Sequence, residues 1–206
     1  YLHSRALQMF EANKQRRQDI ATAQEWHRHA ARLRETFLSA LGGLPERTPL
    51  NPRVVDTIDR GAFVVEKLII DSIPDFPVTC TVYVPKDVDR PVPGILIPSG
   101  HSANGRMAEA YQAVGIELAL NGMVALGYDP ISQGERVQYF DEEEGTSRLV
   151  GCTVEHSQVD NQATLIGANV ARFRIWDGMR CLDYLQSRSE VDPDRLGCTG
   201  NSGGGT

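Results

Sequence analysis

The 206 residues fall within the usual range of one domain, and 41% hydrophobic with 23% charged residues is a globular balance, not a disordered one. A formal net charge of -6 repels phosphate backbones and anionic headgroups, which argues against nucleic acid and membrane partners. No apolar run approaches the roughly 18 residues that span a bilayer. The opening residues Tyr1-Leu2-His3-Ser4-Arg5 have neither an initiator Met nor a secretory pattern, and read as the start of a processed or excised chain.

In chain order, Trp26, Ala30, Leu33, Phe37 and Leu41 recur at three- and four-residue steps, which predicts a helix over 13–41 ended by Gly42-Gly43. Together with a Pro-containing linker, 44–52, it makes an N-terminal helical extension of residues 1–52. His27 and His29 are two apart and cannot share a helix face, so no metal pair is expected there.

A second domain, 53–206, follows. Residues 63–71 and 78–84 are rich in β-formers and read as an antiparallel pair. The short apolar run at 94–98 fits a strand covered on both faces. A helix over 108–120, stopped by Asn121-Gly122, leads to a buried strand at 123–126. Residues 130–160 are polar and read as a long loop, with the acidic run 141–145 solvated. A helix over 163–187, a turn at 191–194 and a third buried strand at 195–199 complete the order. Strands alternating with helices imply an α/β fold, a mostly parallel sheet with helices on both faces. Cys80, Cys181 and Cys198 are expected as buried free thiols, while Cys152 falls in the loop.

The last strand runs into Gly200-Asn201-Ser202-Gly203-Gly204. A Gly-x-Ser-x-Gly sequence carries chemistry when it joins a buried strand to a helix, because a strained turn then lifts the Ser hydroxyl above the sheet's carboxyl edge. The alternative, a phosphate-binding turn, lacks the Lys and the wider Gly spacing of a P-loop. Ser202 is therefore the candidate nucleophile. Such a serine needs a base and N–H donors for the oxyanion. Gly203 would supply one backbone N–H, and His101, in the loop Ser99-Gly100-His101 after the 94–98 strand, the other. The His101 imidazole is a weaker candidate for the base, since the order in this architecture is Ser, acid, His. The triad Asp and His are thus expected beyond residue 206. His156, Asp160 and Asp177 precede Ser202, and packing or surface roles account for them. Glu135-Arg136 reads as a pocket rim or a structural ion pair. No cofactor and no metal is expected.

Four segments together resemble the acetyl xylan esterase-like α/β hydrolases, a group similar to the cephalosporin C deacetylases and more distantly to the prolyl oligopeptidase hydrolase domain. They are Ser99 to Gly105, Gly127 to Arg136, Arg174 to Arg180 and Gly197 to Thr206. The resemblance implies an α/β-hydrolase fold interrupted after the nucleophile turn, a Ser–Asp–His triad with Ser202 as nucleophile, and ester hydrolysis on a small-molecule or carbohydrate substrate. Residues 1–206 alone are then expected to be inactive. A prolyl oligopeptidase-like peptidase and a catalytically inactive interaction domain are the alternatives. Ser202 disfavours dehalogenases, which use Asp at this turn, and dienelactone hydrolases, which use Cys.

Overall fold

The computed structural model describes residues 1–89 and 91–205. Thr206, the end of the fourth resembling segment, lies outside the described residues. The chain divides into two units, Tyr1–Gly43 and Leu44–Thr206.

The first unit holds two helices, α1 (Leu2–Gln18) and α2 (Ala23–Ala40), where one helix over 13–41 was expected. The break has a local cause. Glu25 N–H donates to the Thr22 hydroxyl at 3.2 Å, and the Glu25 carboxylate accepts from Thr22 N–H at 3.0 Å. This reciprocal cap starts a new helix. Trp26, Leu33 and Phe37 line one side of α2 and stay about half exposed.

The second unit is built on a six-stranded sheet. Its strands are β1 (Arg53–Asp59), β2 (Phe63–Ile73), β3 (Phe76–Pro85), β4 (Val92–Pro98), β5 (Val124–Tyr128) and, last, β8 (Val191–Cys198). Their order across the sheet is β1-β2-β3-β5-β4-β8. The expected antiparallel pair is the β2–β3 hairpin, which pairs from Phe63 opposite Pro85 to Ile73 opposite Phe76 with one register shift between Asp71 and Ile73. Strands β5, β4 and β8 run parallel, as crossovers through helices require. Strand β1 had no sequence signal because its side chains are almost all exposed.

Alternation along the strands sorts side chains onto two faces. Val78, Cys80 and Val82 join Val124, Leu126 and Leu96 on the face covered by α5 (Val170–Ser187), which adds Cys181, Tyr184 and Leu185. Phe63, Tyr83, Ala125 and Ile97 occupy the opposite face under α3 (Glu109–Leu120). Helices on both faces are thus borne out. The Trp176 indole N–H donates to the Ser72 carbonyl at 2.8 Å and pins α5 to the hairpin.

Two expectations between β5 and β8 need correction. The polar stretch 130–160 is not all loop: it contains a small hairpin, β6 (Phe140–Asp141) with β7 (Thr146–Ser147), and then α4 (Cys152–Leu165) begins. The helix over 163–187 is likewise two helices. Gly167 at φ +73° turns the chain after α4, and the Asn169 side chain accepts Arg172 N–H at 3.2 Å to cap α5. The turn expected at 191–194 is already part of β8, and that strand is largely exposed rather than buried, since among the described strands it pairs only with β4. Cys80 and Cys181 are buried, but Cys198 is exposed with it.

Candidate active site

Strand β8 delivers the chain to the carboxyl edge of the sheet, where Thr199 N–H still donates to the Leu96 carbonyl at 2.9 Å. The chain then reverses through Asn201 and a single 3₁₀ turn, Ser202–Gly204. Ser202 sits at φ +55°, a conformation that costs an L-residue free energy. The flanking glycines allow the turn to close. A Cβ on Gly200 would collide with the Gly204 carbonyl, and one on Gly204 with the Pro98 carbonyl at the end of β4.

The loop after β4 meets this turn. A Cβ on Gly100 would lie 3.2 Å from the Ser202 Cβ, and one on Gly203 would lie 2.8 Å from the His101 ring. The fold therefore gathers Ser202, Gly203, Gly100 and His101 in one place. Gly100 N–H donates to the Tyr111 hydroxyl at 2.7 Å. The Gly100 carbonyl accepts from the buried Gln133 side chain at 2.8 Å, and the same nitrogen donates to the Ser102 carbonyl at 3.0 Å. In a trans peptide the N–H points opposite to the C=O. Gln133, holding the Gly100 carbonyl, thereby fixes the direction of the His101 N–H. Exchanging Gln133 for Glu places carboxylate oxygens against two carbonyls. In full-length protein, kcat on a neutral aryl acetate is expected to fall by up to about 100-fold with KM little changed, the lower end of the cost of removing one oxyanion donor outright. Unchanged kcat would sever Gln133 from the site.

Beneath the loop lies a polar hub. Asp129, fully buried at the end of β5, accepts from the Thr79 hydroxyl at 2.8 Å, Arg106 N–H at 2.8 Å and Glu135 N–H at 3.2 Å, and pairs with the Arg106 guanidinium. Gly105 and Gly134, at φ +51° and +57°, approach its carboxylate too closely for any Cβ. Glu135 and Arg136 do not pair with each other: Glu135 binds Arg106 and Arg136 binds Asp177, both at 2.6 Å.

Of the other ionisable residues considered from sequence, Asp177 and Asp160 are held by partners away from the turn and His156 packs beside the site. Asp177 is buried; desolvation pushes its carboxyl pKa up against the pull of Arg136. Asp160 accepts Val170 N–H at 2.7 Å at the start of α5. His156 packs edge-on against His101, ring centroids 5.0 Å apart, with Nε2 2.7 Å from the Ile131 carbonyl. Burial lowers its pKa, with Arg174 and His101 adding to the shift while the Ile131 contact and Glu155 oppose it. The unfolded chain then binds more protons than the folded one just below the ordinary value of about 6.5. Stability should therefore rise with pH through that window and be lost on acidification. A His156→Gln variant should flatten the melting-temperature profile between about pH 5 and 7; an equally steep profile would assign the dependence to other groups.

No family model matches the chain. Its structure superposes on a Bacteroides fragilis protein described as a "putative acetyl xylan esterase" with a TM-score of 0.71 and 19% identity, over 89% of this chain and 49% of that one. It superposes on the methylesterase BT1017 with a TM-score of 0.67 and 25% identity, over 90% and 38%. The chain has an α/β-hydrolase fold. Among curated proteins, the Bacillus subtilis (strain 168) protein named "Putative hydrolase YtaP" is 26% identical over 180 residues, which is 85% of this chain and 57% of its own length. The α/β-hydrolase chain thus spans about half the length of the relatives it matches. The likeness to acetyl xylan esterase-like hydrolases read from the four segments agrees with these neighbours.

A groove of about 680 Å³ also opens on the α3 face of this α/β-hydrolase unit, lined by Ile58, Phe63, Val65, Ile69, Tyr83 and Ile116 among others. Ser202, Gly203 and His101 are not part of its wall, so its size says nothing about the chemistry at the turn. Sequence reasoning missed Gln133, Asp129 and Arg174. All three lie in segments that carry the family resemblance, Asp129 and Gln133 in Gly127 to Arg136 and Arg174 at the start of Arg174 to Arg180, but none had a role assigned to it.

Proposed function

We propose that the protein containing this chain is a carboxylic-ester hydrolase acting through an acyl-serine intermediate. The observation that carries this reading is the strained Ser202 at φ +55°, on a strand-to-3₁₀ turn whose glycines permit close packing against the oxyanion loop. Ser202 Oγ attacks the ester carbonyl while a histidine beyond residue 206 takes its proton, and a downstream Asp orients that histidine. The Gly203 and His101 N–H groups hold the oxyanion. Collapse releases the alcohol with the proton returned by the histidine, and water then cleaves the acyl-serine. Esterases of the same fold among the neighbours support the reaction class. Small-molecule or carbohydrate esters are the substrate class.

The His101 ring is poorly suited to be the base. A base needs an anionic partner to stabilise the imidazolium. Here Arg174 Nη1 sits 3.5 Å from His101 Nε2, and no carboxylate contacts the ring among the described residues. Desolvation and then the Arg174 charge lower its pKa, which opposes proton uptake. The test is a fluorophosphonate probe on full-length protein and its Ser202→Ala variant. Labelling of the parent alone is expected; equal labelling of both would reject Ser202.

A further inference from the structure

Among the described residues, Arg174 is a basic group that contacts both the Ser202 turn and the loop after β4, and the ester-hydrolase reading gives it no step of its own. It sits in the second turn of α5, and the Tyr128 hydroxyl of β5 donates to its carbonyl at 3.2 Å, which anchors that turn to the sheet. The side chain is partly buried, and no carboxylate lies within ion-pairing distance among the described residues. Burial lowers its pKa only from a very high starting value, so the guanidinium stays charged. Its Nη2 donates to two carbonyls: Gly203 O at 3.1 Å and Ser99 O at 3.3 Å. One carbonyl belongs to the nucleophile turn after β8 and the other to the loop after β4. Each sits within two residues of a proposed oxyanion donor, Gly203 itself and His101.

We infer that Arg174 is a positioning residue that ties the nucleophile turn to the oxyanion loop through a shared guanidinium nitrogen and so sets the spacing of the two N–H donors. This rests on the ester-hydrolase reading. The two donors come from loops on different strands, and an error of about 1 Å in such a constellation costs on the order of 100-fold in rate. A planar guanidinium carried on a helix anchored to the sheet can fork between two carbonyls, whereas the Lys ammonium is a flexible point donor. The charge has a second consequence at the same place. It faces the His101 imidazole, with Nη1 3.5 Å from Nε2, and adds to the burial that already lowers the pKa of that ring.

The test uses full-length parent, Arg174→Ala and Arg174→Lys, with kcat and KM for a neutral aryl acetate, and melting temperatures to correct for the folded fraction. Both variants should lose about 10- to 100-fold in kcat with KM within about twofold. Added guanidinium at tens of millimolar should restore part of the Arg174→Ala rate, and the His101 titration should move upward in folded Arg174→Ala, where the charge is lost, but not in Arg174→Lys, where it is kept. Turnover in Arg174→Ala within twofold of the parent would overturn the inference, as would full recovery in Arg174→Lys, which would mean that charge alone matters. Fluorophosphonate labelling separates the two levels. A parent labelled at Ser202 with normal Arg174→Ala turnover rejects only the role of Arg174; an unlabelled parent rejects the hydrolase reading and this inference with it.

Discussion

Exchanging Ser202 for Ala in the full-length protein should cut the turnover of an activated ester at least about 10⁴-fold, because no group remains to form the acyl intermediate. The loss should fall on kcat, since the Gly203 and His101 N–H groups are left in place. The backbone makes a second, opposite demand at the same position. Ala keeps the strain of φ +55°, whereas Gly removes it. Ser202→Gly should therefore be as inactive as Ser202→Ala yet more stable by about 1 kcal/mol, or roughly 2–4 °C in melting temperature for a unit of this size. Residual activity above about 1% in the Ala variant would contradict the role given to Ser202. A Gly variant melting no higher than the Ala variant would show that the turn stores no strain.

Asp129→Ala should be the most damaging substitution for stability. It leaves the buried Arg106 guanidinium short of its principal counter-ion, and leaves the Thr79 hydroxyl and the Arg106 and Glu135 N–H groups without their acceptor. Removing one member of a buried pair costs about 3–5 kcal/mol, which is roughly 6–20 °C at this chain length. Replacing Arg106 as well, by Met, should recover part of that loss, because the orphaned charge goes with it. Thermal melts of the single and double variants decide the matter. A single variant within about 1 kcal/mol of the parent would mean that the hub contributes little.

What the sequence made legible follows from how local each signal is. The β2–β3 hairpin, the buried runs of β4 and β5 and the glycine-flanked Ser202 are all written in neighbouring residues, and all are present. The break between α1 and α2 is also local, in Thr22-x-x-Glu25, and the apolar spacing from Trp26 to Leu41 falls wholly after it, so that spacing defines α2 and says nothing of α1. The end of α4 was hidden, because Leu165 and Val170 fit one continuous helical pattern across Gly167. Cys198 is expected buried from its place in a strand-like run, and only the sheet order reveals that β8 has one described neighbour. The contacts that shape the site are the least legible. Gln133 reaches back to Gly100, and Arg174 reaches both back to Ser99 and forward to Gly203. Pairings across such distances leave no trace in periodicity or spacing.

The register of the β2–β3 hairpin also bears on how the molecule folds. Its strands are joined by a tight turn and pair along nearly their whole length. Hairpins of this kind close in about 1–10 μs, whereas parallel pairing across helical crossovers must wait for larger loops to close. The β5–β4–β8 ladder, and with it the Ser202 turn, should therefore assemble late. Substitutions in the hairpin core are then expected to slow refolding. Those around Asp129 and Ser202 should instead speed unfolding and leave the refolding rate nearly unchanged.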